Sequence, residues 1–180
     1  VHEAAEAPGN ARLEAKQDLV GCLMVDSDAP GLQARESLRE RKWERREIEN
    51  YLCQPETLVA YARRQAEVDC LGPLLSTASA EVAALDMDES IPRFASPAAL
   101  DNPDDPYWKT IKASSDFLER VFKEYSTKRS SPLQMRKADY PLLVSLIPDH
   151  LLSPEIREAL DMIHATQQHA KPLTTEQGNG

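Results

Sequence analysis

Two pairs of carboxylates, each with one residue between its members, carry the strongest chemical signal in this chain: Asp26 and Asp28, then Glu47 and Glu49. The first pair closes an apolar run, Val20-Gly21-Cys22-Leu23-Met24-Val25, and is followed by Ala29-Pro30-Gly31. On an extended strand alternate side chains share a face, so Asp26 and Asp28 point the same way, roughly 6–7 Å apart. Two carboxylates on one face at a strand end suit a hard, oxygen-seeking cation such as Mg²⁺. The Pro-Gly step ends the strand and leaves both acids at its carboxyl end, where open α/β sheets place their ligands. The same Asp-Ser-Asp-Ala-Pro-Gly string also suits a plain turn, because Asp and Ser bond to nearby backbone and Pro-Gly favours reversal.

Glu47 and Glu49 bracket Ile48. Read as a strand, this segment puts both acids on one face and Ile48 on the other. The acids would then be ligands for a second metal ion, since two-metal sites clamp the attacking and leaving oxygens of a phosphodiester. The competing reading pairs them with Arg41, Arg45 or Arg46 in a solvated charge cluster. If the two acid-bearing segments are neighbouring strands, all four carboxylates meet at the carboxyl edge of one small parallel sheet. Their mutual repulsion would raise some of their pKa values.

Residues 43–55, Trp-Glu-Arg-Arg-Glu-Ile-Glu-Asn-Tyr-Leu-Cys-Gln-Pro, join the aspartate pair in a recognisable order. Together they resemble the Toprim domain at the carboxyl end of OLD-family ATPase-nucleases and related AAA-type ATPases. In that group a strand ending in Asp-x-Asp precedes an Arg-x-Glu-Ile-Glu-Asn-Tyr-Leu-x-x-Pro segment. Later stretches are similar to the family too: Thr110-Ile111-Lys112-Ala113-Ser114, Lys137-Ala138-Asp139-Tyr140 before Ile147-Pro148, and Leu152-Ser153-Pro154-Glu155-Ile156. The resemblance covers about residues 18–165. It implies metal-dependent hydrolysis of phosphodiester bonds in DNA, in defence against phage or other foreign DNA. Asp26, Asp28 and Glu49 would hold Mg²⁺ or Mn²⁺, and Glu47 or Glu49 would complete the catalytic set. Lys112 or Lys137 would offset charge developing on phosphate. The chain departs from the family in two places. It has no apolar strand ending in a glutamate ahead of Val20, since Glu3, Glu6 and Glu14 lie in a polar stretch, and it has no Gly-x-x-x-x-Gly-Lys-Ser/Thr loop. The expectation is the distal part of a larger or decayed protein, with weak activity when isolated.

Composition narrows the partners. The formal charge is −9, so general electrostatic binding to nucleic acid is not expected. DNA would be met through metal ions and a local basic patch. The chain is 41% hydrophobic and 28% charged, enough for one modest core. Cys22, Cys53 and Cys70 form neither a zinc pattern nor a disulfide framework. With no charged head before an apolar stretch and no run near ~20 apolar residues, a cytoplasmic, non-membrane chain is expected.

The elements that must position these residues follow from the pattern. Residues 19–25 read as a strand. Residues 32–42 have helical-looking spacing, although the family has a loop and a short strand there. Pro55 opens a helix to about Val68. Residues 79–84 suggest a helix, the acidic stretches 86–89 and 101–105 read as solubilising turns, and 95–108 as loop. A serine at 114 or 115 caps a helix to about Tyr125, with Phe117, Leu118, Val121 and Phe122 inward. Residues 137–146 and 155–168 read as helices. Trp43 and Trp108 read as packing residues, and His2, His150, His164 and His169 carry no chemistry.

The expected class is α/β, a partial Toprim-like parallel sheet followed by a mainly helical extension. The expected divisions are a flexible segment at 1–16, the core at 17–70, the extension at 71–168 and a disordered tail at 169–180. The alternative function is a non-catalytic module that docks onto an ATPase domain or partner chain, or forms a homo-oligomer through an unpaired sheet edge.

Overall fold

A computed structural model describes residues 20–32, 37–69, 73–131 and 134–170. The expected loose amino end, the tail beyond Ala170 and Cys70 lie outside these residues. The fold is mixed α/β. Strands β1 (Gly21–Val25) and β2 (Leu38–Lys42) pair in parallel, Gly21 opposite Leu38 and Val25 opposite Lys42. Both carboxyl ends therefore lie at one edge, with Asp26 just beyond β1 and Trp43 just beyond β2. The helical-looking spacing at 32–42 gives way to this strand in its second half. Arg39 and Arg41 alternate with Glu40 there, and charged alternation is compatible with strand as well as helix.

Helices supply the rest: α1 (Pro55–Asp69), α2 (Pro73–Ser90), α3 (Pro97–Asp101), α4 (Pro106–Thr110), α5 (Glu119–Lys128), α6 (Pro141–Val144) and α7 (Pro154–His169). The main core is built by spacing. α1 buries Leu58, Ala62 and Ala66 at four-residue intervals, and α2 buries Ala80, Ala83, Ala84 and Met87. Alanines let the two axes approach closely. Phe117, Leu118, Val121 and Phe122 close the core from the next layer. A smaller cluster of Trp43, Tyr51 and Ala159, backed by Met24 and Ile156, joins the strands to α7.

The segment 95–108 is not all loop. Its prolines stand at the first turns of α3 and α4, where a missing N–H costs nothing. Ser96 Oγ accepts from Ala99 N at 3.2 Å, and Asp105 Oδ1 from Tyr107 N at 2.9 Å. The acidic stretch 86–89 is helical, and it faces basic residues at the end of α5. Asp86 pairs with Arg129 at 3.3 Å and Glu89 with Lys128 at 2.8 Å. The single helix expected over 137–146 is broken into a 3₁₀ turn (Lys137–Asp139) and α6, because Pro141 cannot donate.

The end of α5 is a Schellman closure. Ser131 N donates to Ser126 O at 3.0 Å and Ser130 N to Thr127 O at 3.2 Å, with Ser130 at φ 49°. Glycine is at ease in that conformation and serine is not. Ser130→Gly is expected to raise stability by about 0.5–1 kcal/mol, read as a higher urea midpoint with an unchanged denaturant slope.

Candidate metal centre

The site is assembled by the backbone before any acid is considered. Trp43 N donates to Val25 O at 3.1 Å and Ser27 N to Arg46 O at 3.0 Å, so the turn after β1 runs alongside the segment after β2. Lys42 Nζ also donates to Ala29 O and holds that turn against β2. Arg46 N in turn donates to Lys109 O at 3.0 Å, which docks the same segment on α4.

Glu47-Ile48-Glu49 does not form a strand. Ile48–Leu52 is a 3₁₀ turn with extended Glu47 as its first, capping residue. Asn50 dictates this. Its Oδ1 accepts from Glu47 N at 3.0 Å, which folds the chain back on itself. Its Nδ2 donates to Trp108 O at 2.8 Å and to Ile111 O at 2.9 Å. Asn50 is fully buried, so these three bonds replace water completely. Arg45, also buried, donates to Asn50 O and Pro103 O, each at 3.0 Å, and its guanidinium lies 4.8 Å from the Tyr51 ring centre. Because the turn is helical, Glu47 and Glu49 do not share a strand face, and Ile48 is half exposed instead of packed inward.

The acids consequently part in role. Glu47 is buried, and its Oε1 accepts from Ser114 N at the start of a π-helical turn (Ala113–Leu118) that runs into α5. It anchors a helix beginning, where negative charge is favoured. Glu49 Oε1 pairs with Lys137 Nζ at 2.8 Å. Asp28 lies in the turn, mostly exposed, and pairs with Arg46 at 3.5 Å. Among the described residues Asp26 has no salt-bridge partner. Its pKa is raised, first by partial desolvation, then by the charges of Glu47, Glu49 and Asp28, against an opposing effect of Lys137. Lys137 is raised in turn, chiefly by its hydrogen bond to Glu49. The structure thus brings Asp26, Glu47, Glu49 and Lys137 into one electrostatic neighbourhood, with Asp28 at its rim.

Lys112 caps the π turn and is exposed. It lines, with Ser114, Ser115, Arg136 and Lys137, a cavity of about 530 Å³. Arg136 is engaged by Asp139 at 3.2 Å. Sequence reasoning did not single out Arg136 or Ser115 for the site, and neither sits in a motif. A neighbouring apolar cavity of about 320 Å³ is lined by Ile48, Tyr51, Leu52, Tyr140, Val144 and Ile156 among others.

The donors present are carboxylate oxygens, the chemistry a hard divalent cation requires. An ammonium group, Lys137 Nζ, already sits against Glu49 as a stand-in cation. Among the described residues no three His, Cys, Asp or Glu side chains form a ready cage. No family model, no curated protein and no solved structure matches this chain.

Two outcomes are expected. Asn50→Ala strands Glu47 N, Trp108 O and Ile111 O in the interior, and should cost about 3 kcal/mol or more in urea denaturation. Tyr140 donates to Ser114 O at 3.1 Å, and its phenol is pushed up to about 12, mainly by burial. An unfolded phenol titrates near 10. The folded state therefore holds this proton longer, and its advantage is complete below pH 10 and lost as pH rises toward 12. Tyr140→Phe should flatten the fall in the urea midpoint across that window relative to wild type.

Proposed function

We propose that this chain is a Toprim-like, metal-dependent DNA phosphodiesterase domain related to OLD-family ATPase-nucleases. The observation that supports it most is that Asp26, just beyond the carboxyl end of β1, lies within the electrostatic influence of Glu47 and Glu49, the latter paired with Lys137. Asp26 and Glu49 would hold Mg²⁺ or Mn²⁺, with Asp28 at the rim. The cation, when bound, would supply Lewis-acid activation of the phosphodiester. The remaining roles belong to the protein. Glu47 fixes the start of the π turn and so places Ser114 and Lys112. Lys112 and Lys137 bring positive charge to the adjoining cavity, which Glu119 also lines and where Arg136 is held by Asp139; a phosphate would have to be met there mainly by Lys112 and Lys137. With a net charge of −9 over the whole chain, contact with DNA would be confined to this patch and would weaken steeply with salt.

The reading is tested with Mn²⁺. Calorimetry should show binding by the wild type that Asp26→Asn weakens at least about tenfold, the loss of one charged ligand being worth roughly 1.4 kcal/mol or more. Supercoiled plasmid should be nicked, slowly, by the wild type with Mn²⁺ and not by Asp26→Asn. Heat released equally by both proteins, or no heat at all, refutes the assignment.

A second reading has its own support. Ile48 is 50% exposed and Val144 59% exposed at the apolar cavity, as expected of a non-catalytic module docking on an ATPase or on a second copy. Sedimentation at several concentrations separates the two. A strict monomer that binds Mn²⁺ and nicks plasmid excludes the module.

A further inference from the structure

The apolar cavity of about 320 Å³ lies where separate stretches of chain meet: the turn after Glu47, the residues from Lys137 to Ile147, the 3₁₀ turn Asp149–Leu151 with Leu152 and Ser153 after it, and the first turn of α7. Its walls are mainly aliphatic, Leu52, Val144, Ile147, Leu151 and Ile156 among them, with the rings of Tyr51 and Tyr140. The polar side chains of these walls are engaged, with one exception. Glu49 and Lys137 hold each other at 2.8 Å, Ser153 Oγ accepts from Glu155 N at 3.3 Å, and Tyr140 donates to Ser114 O at 3.1 Å. Tyr51 differs. It is 6% exposed, and its hydroxyl has no hydrogen-bond partner among the described residues. Its ring packs on Trp43, centres 5.6 Å apart, and under the Arg45 guanidinium, so the hydroxyl cannot swing away to find one. Native interiors rarely leave a buried hydroxyl unpaired.

We propose that this cavity binds a small, neutral, mainly apolar aromatic molecule carrying one polar atom, and that this atom meets the Tyr51 hydroxyl. Size follows from volume. An apolar cavity of about 150 Å³ holds one benzene, so this one accommodates two fused rings. Neutrality follows from the walls. Glu49 and Lys137 cancel each other, which leaves, among the described wall residues, no free cation for a carboxylate or phosphate and no free anion for an amine. An ion buried here without a counter-charge would bind poorly. Apolar walls with a few polar groups that fix orientation are the usual form of a small-molecule pocket. The assignment stands apart from the metal reading and uses no carboxylate as a ligand.

The probes are naphthol, naphthalene and naphthoate, followed by saturation-transfer NMR and calorimetry at neutral pH without divalent cations. Naphthol should bind, naphthalene more weakly, and naphthoate at least about tenfold more weakly than naphthol. Tyr51→Phe removes a group that has no partner, so the fold is retained. It should lower naphthol affinity about three- to tenfold, the worth of one neutral hydrogen bond, and change naphthalene affinity less than about twofold. Val144→Trp, at a wall position 59% exposed, should block naphthol, whereas Leu160→Trp, 57% exposed on α7 and outside the walls, should leave it bound as in the wild type. Binding of no probe, naphthol binding that Val144→Trp leaves intact, or a naphthol preference that survives in Tyr51→Phe overturns the proposal. So does naphthoate bound more tightly than naphthol. A wild type that pairs with a second copy in sedimentation, becomes monomeric as Val144→Trp and takes up no naphthol makes this face a protein interface, and overturns the proposal as well.

Discussion

The primary amide of Asn50 is the constraint around which the rest of the site is arranged. Its oxygen takes the N–H of Glu47 and its nitrogen supplies both Trp108 O and Ile111 O. One side chain thus sets the bend that carries Glu47 and Glu49 and clamps that bend to the end of α4. No apolar residue of similar size could do this, because three backbone groups would be left without partners in a dry interior. The neighbours extend the same logic. Arg45 satisfies Asn50 O and Pro103 O, and Glu47 satisfies Ser114 N. Polar groups that are individually costly to bury are mutually satisfied, and the network gains rigidity from being complete.

Charge balance in the site is local. Each carboxylate except Asp26 meets a protein donor or cation: Glu47 a backbone N–H, Glu49 a lysine, Asp28 an arginine. The unbalanced acid stands at the end of β1, next to the turn tied down by Ser27 and Lys42. The theme is repeated nearby, at the same carboxyl end of the strands. Buried Glu155 accepts from Glu44 N at 2.8 Å and lies 3.9 Å from Arg41, and burial raises its pKa. With the Cys22–Thr166 hydrogen bond near its other end, α7 meets the sheet through polar bridges on both sides of the apolar cluster of Trp43, Tyr51 and Ala159.

What the sequence made legible was periodic or punctuated. β1, α1 and α7 could be read because apolar spacing and prolines mark them directly. A small parallel sheet was expected, but with the Glu47–Glu49 segment as the partner of β1; the partner is β2, whose charged residues had a helical look. What was hidden depended on contacts distant in sequence. Acid-apolar-acid alternation at 47–49 is identical in a strand and in this turn, and only the bond from Glu47 N to Asn50, together with the remote carbonyls of Trp108 and Ile111, decides between them. The division of labour between Glu47 and Glu49 was equally hidden, since Ser114 and Lys137 lie 67 and 88 positions away from their respective partners. Prolines misled at 95–108, where they open short helices, and at 141, where one divides the single helix expected over 137–146.

The contact between β1 and α7 joins opposite ends of the described chain. Cys22 Sγ donates to Thr166 Oγ1 at 3.0 Å across 144 positions, and Met24 packs with Ile156 and Ala159 in the smaller cluster. A chain emerging from the ribosome can pair β1 with β2 early, but the cover for that pair is synthesised more than a hundred residues later. Loop closure of that length slows folding, and until it occurs the apolar side chains of β1 stand open to other nascent chains. The interval between making the strands and making α7 is thus the vulnerable period in this protein's life, and its length is fixed by translation speed.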